Sequence, residues 1–137
     1  MRNAIVFLDS GDTLVDESTE VRIKGDVVDH AEFFTGIKEV LFQLKNAGFR
    51  VALVADGLVE SFDNIYQQHE METYFEVRAI SETVGVCKPA GEMFKTAMEK
   101  MNLEEADKKY IIMIGNNLER DIVGANRMGI TSVLAGY

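Results

Sequence analysis

A chain of 137 residues, 47% of them apolar, is long enough for one packed core and too short for a large second domain. A net charge of −9 argues against a general nucleic-acid binder or a partner of anionic membranes, and no run of about 18 apolar residues offers a membrane span. The single cysteine, Cys87, excludes an internal disulfide and, with no export signal in the opening MRNAIVFLDSGD, points to a cytoplasmic protein.

Residues 4–8 (AIVFL) are continuously apolar, the pattern of a strand buried on both faces. The run stops at Asp9, and residues 9–13 gather Ser, Gly and Asp as a turn. Residues 21–28 (VRIKGDVV) read as a small hairpin around Lys24-Gly25-Asp26. Ile37, Val40, Leu41 and Leu44 recur at helical spacing, and Gly48 follows as a stop. Residues 51–54 form a second buried strand. Phe62, Ile65, Tyr66 and His69 share one face of a helix over 58–69, and residues 75–80 form a weaker third strand. Met93, Phe94, Ala97, Met98 and Met101 line the next helix, where the methionines read as core filling rather than as sulfur ligands. Residues 110–114 form a strong strand, 118–128 a helix closed by Gly129, and 131–134 the last strand. Strands alternating with helices predict an α/β domain built on a parallel sheet with helices on both faces. The hairpin stands outside that alternation.

In such folds ligands sit beyond the carboxyl ends of the strands. That singles out residues 9–13, 55–57, 81–88 and 115–121. Asp9 ends an apolar strand, where a carboxylate is badly placed for packing; it could attack phosphorus, or simply form a turn. Lys88 precedes Pro89, the only proline, which restricts the backbone at the lysine; its ammonium could neutralise a phosphate, or lie solvated before a helix. Asn116 or Asn117 can cap the helix that follows, with Asp121 in its first turns near the positive end of the dipole. The same residues could be oxygen ligands for Mg²⁺, which takes one or two carboxylates besides water and phosphate oxygens.

The strings IVFLDSGDTLVD, VALVADG, CKPAGEMF and MIGNNLERDIVGANRMG, in that order, resemble the haloacid dehalogenase-like superfamily of hydrolases. The likeness runs from Ala4 to Leu134 and is nearest to phosphatase-like members. It implies a Rossmann-like sheet and Mg²⁺-dependent phosphate monoester hydrolysis through an aspartyl-phosphate. On this likeness Asp9 falls on the nucleophile, Thr13 on the threonine supporting its loop, Lys88 on the phosphate-binding lysine and Asp121 on a carboxylate of the metal site. The Gly11 carbonyl and Asn116 complete the implied ligand set. Ala55, Asp56 and Gly57 fall on the phosphate-binding corner, and the hairpin at about 20–29 falls on the flap. The implied substrate is a phosphorylated small molecule or a phosphoprotein.

Three positions depart from the family pattern. Gly11 stands where phosphatases carry an Asp for general acid–base work. Asp12 is adjacent, but a shift of one residue along an extended chain reverses the side chain. Losing such help typically costs about 10²–10⁴ in rate, so slow turnover is expected. Ala55 replaces a Ser or Thr donor, leaving the Gly57 N–H as the expected substitute. Asn116 replaces an Asp and should weaken Mg²⁺ binding. About twenty residues lie between Val15 and Gly36, too few for a separate cap domain. An uncovered site makes a homodimer plausible, and the early stop after the last strand suggests a chain truncated at its C-terminal end. The alternative is a catalytically weak or inactive phosphate-binding or regulatory member of the superfamily. A receiver domain phosphorylated at Asp56 fits poorly, because two further strands follow Lys88.

Overall fold

The structure is a computed structural model that describes residues 3–136. Five strands form one parallel sheet in the order β5-β4-β1-β6-β7. They are β1 (Ile5–Leu8), β4 (Arg50–Ala55), β5 (Val77–Ile80), β6 (Ile111–Gly115) and β7 (Thr131–Leu134). Strand β1 is central, with Ile5–Leu8 registered against Arg50–Leu53 on one side and Ile111–Ile114 on the other. Both faces are covered, which explains why its four residues are all apolar and all buried. Val6 and Leu8 face one core cluster with Leu41 of α1 (Ile37–Asn46) and Phe62, Ile65 and Tyr66 of α2 (Val59–Gln68). Ile5 and Phe7 face the other, with Met93, Phe94, Ala97 and Met98 of α4 (Gly91–Lys100) and Ala125 of α5 (Gly124–Arg127). Each such large apolar side chain contributes about 1.5–3 kcal/mol on burial. The methionines fill this second cluster, as their helical spacing predicts. The Rossmann-like architecture is therefore as expected.

The hairpin exists, but its strands lie further out than the sequence reading put them. They are β2 (Val15–Val21) and β3 (His30–Phe33), paired antiparallel apart from the main sheet. Residues 21–28 form the tip, with Lys24 bridged to Val27 and Gly25 at φ 66°. Strand β2 reads VDESTEV, and Val15 alone in it is buried, so it shows no apolar alternation to betray it. Helix α2 tethers the hairpin beside the sheet. Ser61 Oγ accepts from the Val28 N–H at 2.9 Å, Asn64 Nδ2 donates to the Val28 carbonyl at 3.0 Å, and Gln68 Oε1 accepts from the Ala31 N–H at 3.0 Å.

Two other elements refine the expected ones. A short helix, α3 (Ser81–Val84), follows β5 directly. The helix expected over 118–128 is a π-helical segment, Leu118–Val123, running into α5. Such widened turns often accompany functional sites. Among the described residues no helix is long and apolar enough to cross a membrane.

Candidate active site

The carboxyl ends of β1, β4 and β6 open into a cavity of about 530 Å³, walled on one side by the hairpin. Asp9 sits at its floor. The Asp9 N–H donates to the Ile114 carbonyl at 3.1 Å, extending the β1–β6 ladder by one residue and fixing the carboxylate at the strand end. The next turn is tight: the Ser10 carbonyl accepts the N–H groups of Thr13, Leu14 and Val15 at 3.2, 2.8 and 3.0 Å. Ser10 Oγ shares a buried hydrogen bond of 2.8 Å with Tyr66 Oη, which anchors the turn to α2. Burial, chiefly, drives the Tyr66 phenol well above its ordinary pKa, so it stays neutral. Replacing Tyr66 with Phe should cost about 1 kcal/mol, the usual net worth of such a bond, read as a lower urea midpoint with unchanged slope.

Asp9 makes two side-chain contacts. Lys88 Nζ donates to Oδ1 at 2.9 Å, and Thr13 Oγ1 donates to Oδ2 at 3.1 Å. Lys88 reaches 79 residues back along the chain to do this. Its ammonium also donates to the Val54 carbonyl at 2.9 Å and to Asp121 Oδ1 at 2.5 Å, so three acceptors take its three protons. Lys88 and Asp121 are 3% and 1% exposed, which makes this a buried ion triad rather than a solvated lysine. The Lys88–Pro89 bond is cis.

Opposing effects set the charges. Burial alone would lower the Lys88 pKa; the coulombic pull of Asp9 and Asp121, with a hydrogen bond to each, outweighs it and moves the pKa upward. Burial raises the Asp9 pKa. Lys88 opposes that rise, the Asp121 charge adds to it, and the net direction is upward. One ammonium between two carboxylates leaves an unbalanced negative charge in the cavity floor.

Asp121 is seated by its surroundings. Its Oδ2 accepts the Asn117 N–H at 3.0 Å, while Asn117 Oδ1 caps the π-helical segment by accepting the Arg120 N–H at 2.8 Å. Its side chain packs onto the bare face of Gly115, where an added Cβ would lie 2.5 Å from the Asp121 Cβ. Capping and chemistry therefore coexist here: Asn117 caps, and Asp121 faces the lysine. Asn116 lines the cavity, and its Oδ1 lies 3.4 Å from Thr13 Oγ1.

The β4 corner differs from expectation. The Ala55 methyl belongs to the core cluster and does not line the cavity. Asp56 lines it, but its Oδ1 accepts the Lys88 N–H at 2.9 Å, so this carboxylate holds the lysine's backbone. Asp56 Oδ2 has no hydrogen-bond partner among the described residues and lies 3.7 Å from Arg120 Nη1. The Gly57 N–H, expected to face a phosphate, donates instead to Ser81 Oγ at 2.8 Å. Ser81 opens α3, an element the sequence reading did not separate.

Two further acids gained meaning only in three dimensions. Asp12 lines the cavity but sits at φ 56°, not in the extended conformation assumed from the sequence, and its Oδ1 accepts the Glu17 N–H at 2.9 Å. Glu17, on β2, projects into the cavity beside Gly11. Partial burial first, then the charges of Asp12, Glu20 and Asp9, raise its pKa against the opposing pull of Arg120. The polar sequence of β2 offered no signal for it.

Asp9, Gly11, Asn116 and Asp121 all line the cavity, and each carries a side-chain or main-chain oxygen. That donor set, with two carboxylates and no thiolate or imidazole, suits Mg²⁺ rather than zinc. No group of three or more His, Cys, Asp or Glu side chains among the described residues forms an all-protein cage.

A parallel sheet with paired acids and a buried lysine at the carboxyl end of its central strands defines an α/β protein of the hydrolase type. Residues 11–135 match the model of the haloacid dehalogenase-like hydrolase family, a span beginning two residues after Asp9, and the chain belongs to that family. A glyceraldehyde 3-phosphate phosphatase of Pyrococcus abyssi is 33% identical over 103 residues, 74% of this chain and 42% of that protein. The protein of the same description from Pyrococcus furiosus is 31% identical over 120 residues, 82% of this chain and 48% of that protein. The chain thus spans less than half the length of these curated relatives. A HAD phosphatase from Thermococcus onnurineus superposes with a TM-score of 0.79 at 15% identity, covering 96% of this chain and 85% of that one. The HAD-hydrolase YfnB of Bacillus subtilis, in a structure bound to magnesium, gives 0.80 at 14% identity, covering 98% and 87%. These likenesses establish the fold.

Proposed function

We propose that this chain is the core of a Mg²⁺-dependent phosphohydrolase that cleaves small phosphate monoesters through an aspartyl-phosphate on Asp9. The observation that carries the reading is the position of Asp9: at the end of the central strand, with Lys88 on one carboxylate oxygen and Thr13 on the other. The names of the relatives, which include glyceraldehyde 3-phosphate phosphatases and a pyrophosphatase, support small phosphorylated substrates.

When bound, Mg²⁺ supplies positive charge opposite the phosphoryl oxygens; Asp9, the Gly11 carbonyl, Asn116 and Asp121 are the residues that would hold it. The remaining work falls to the chain. Thr13 orients the Asp9 carboxylate. Lys88 keeps Asp9 and Asp121 from repelling each other and places a cation beside the transferred group. An Asp9 oxygen attacks phosphorus, the bond to the ester oxygen breaks, and water later attacks the same phosphorus to release phosphate and restore Asp9. With Ala55 in the core and the Gly57 N–H engaged by Ser81, few donors remain for phosphate at the β4 corner, which supports slow turnover. Residues 1–137 act here as one core domain, and a second copy could cover its open cleft.

Steady-state hydrolysis of p-nitrophenyl phosphate with Mg²⁺ tests the proposal. Asp9→Asn is expected to lower kcat by at least about 10³-fold, because a neutral amide is no nucleophile. Unchanged turnover would overturn the reading. Saturable phosphate binding without turnover by the wild type would favour the catalytically weak alternative.

A further inference from the structure

An ester oxygen leaving phosphorus needs a proton, and the cavity floor is poor in free donors. Lys88 has all three protons held by acceptors. Asp12 is bound to the Glu17 N–H, Asp56 through one oxygen to the Lys88 N–H and Glu20 to Arg22, while Asp26 lies exposed at the hairpin tip. Glu17 differs. Its carboxylate lines the cavity with Asp9 and Lys88 and has no hydrogen-bond partner among the described residues.

Its position is specific. A Cβ built on Gly11 would collide with Glu17 Oε1 and lie 2.9 Å from Cδ and 3.1 Å from Cγ. The Glu17 carboxyl group therefore occupies the space into which a side chain at position 11 would project. Gly11 makes room for it, and Asp12 fixes the Glu17 backbone at the start of the hairpin.

We infer that Glu17 is a catalytic proton donor and acceptor, delivered by the hairpin into the place that Gly11 leaves open. This rests on the phosphohydrolase reading above. In the first step the Asp9 oxygen bonds to phosphorus, the ester P–O bond breaks, and the departing oxygen takes a proton from the Glu17 carboxylic acid, leaving its carboxylate. In the second step that carboxylate takes a proton from water as the water oxygen bonds to phosphorus. The P–O bond to Asp9 then breaks, and Asp9 departs as carboxylate with inorganic phosphate released.

A proton donor matters most for basic leaving groups, and a merely structural hairpin residue would affect all substrates alike. The experiment compares kcat/KM, which reports only the steps up to departure of the leaving group, for glycerol 3-phosphate, an alkyl ester, and for p-nitrophenyl phosphate, whose phenolate leaves unaided. Glu17→Gln is expected to lower alkyl-ester kcat/KM about 10²-fold and aryl-ester kcat/KM less than about tenfold. Glu17→Ala should behave likewise, and adding Gly11→Asp to it should recover alkyl-ester turnover, because the carboxylate then comes from position 11 into vacated space. Equal losses on both esters, no loss on either, or a double variant no better than Glu17→Ala would overturn the inference while Asp9-dependent turnover persists. A wild type with no Asp9-dependent turnover overturns both this inference and the reading beneath it.

Discussion

Replacing Lys88 with methionine is expected to destabilise the fold by about 3–5 kcal/mol at neutral pH, the cost of breaking a buried ion pair from one side. Methionine approximates the length of the side chain but carries no charge. Two buried carboxylates, Asp9 and Asp121, would then share a pocket with no cation between them, and the Val54 carbonyl would lose its donor. The pH dependence has a definite sign. Burial already raises the Asp9 pKa, and without Lys88 the pull that opposes this rise is gone while the Asp121 charge still adds to it. A raised carboxylate pKa means the penalty is full above the folded pKa and relieved as pH falls through it. Urea unfolding at pH 7 and pH 5 should therefore show a gap between variant and wild type that narrows at the lower pH. A constant gap, or none, would contradict the triad as the seat of the effect. Activity should fall by about 10²–10³, as for loss of one charged group stabilising a transition state. Arginine is a poor substitute, since a planar fork cannot meet three acceptors placed for a tetrahedral ammonium.

Replacing Gly115 with alanine should cost roughly 3 kcal/mol although it adds one methyl group. The methyl would overlap the Asp121 side chain, with the Asp121 Cβ itself 2.5 Å away, so rotating the carboxylate cannot relieve the contact. Neither backbone yields easily. Gly115 is registered against Leu134 and accepts the Ala135 N–H at 2.7 Å, while the Asp121 N–H donates to the Asn117 carbonyl at 2.9 Å. The expected adjustment is a shift of the π-helical segment that lengthens the Asp121–Lys88 contact. A displacement near 1 Å in such a site can lower turnover about 10²-fold. Loss of both stability and kcat, with KM for p-nitrophenyl phosphate little changed, is the expected signature. Wild-type melting and turnover would show that Asp121 has more room than its packing indicates.

Both predictions turn on contacts that only the fold makes visible, and there the sequence and the structure divide. The apolar runs at Ile5–Leu8 and Ile111–Gly115 declared themselves as strands because burial on both faces forces every residue to be apolar. Asp9 was legible for the same reason, since a charged residue closing such a run has no role in packing, whereas Lys88 and Asp121 stood out through the order of motifs that carries the family resemblance. Strand β2 was not legible, because an exposed strand carries no periodic signal and its fit comes from pairing with β3 and from the tether to α2. The partners of polar groups were equally hidden. Nothing local says that Asp56 takes the Lys88 N–H, that Ser81 takes the Gly57 N–H, or that Ser10 meets Tyr66 across 56 residues. Gly11 read from the sequence as a loss, since the residue there has no side chain. The folded chain brings Glu17 into that gap from a strand six residues on, a placement set by the turn at Asp12 and the path of the hairpin. Periodicity reports which side chains leave water, and so the sequence by itself determined the strands of the main sheet and the helices α1, α2 and α4 that cover it. Which polar atoms then meet depends on distances across the chain, and only the tertiary structure decided that.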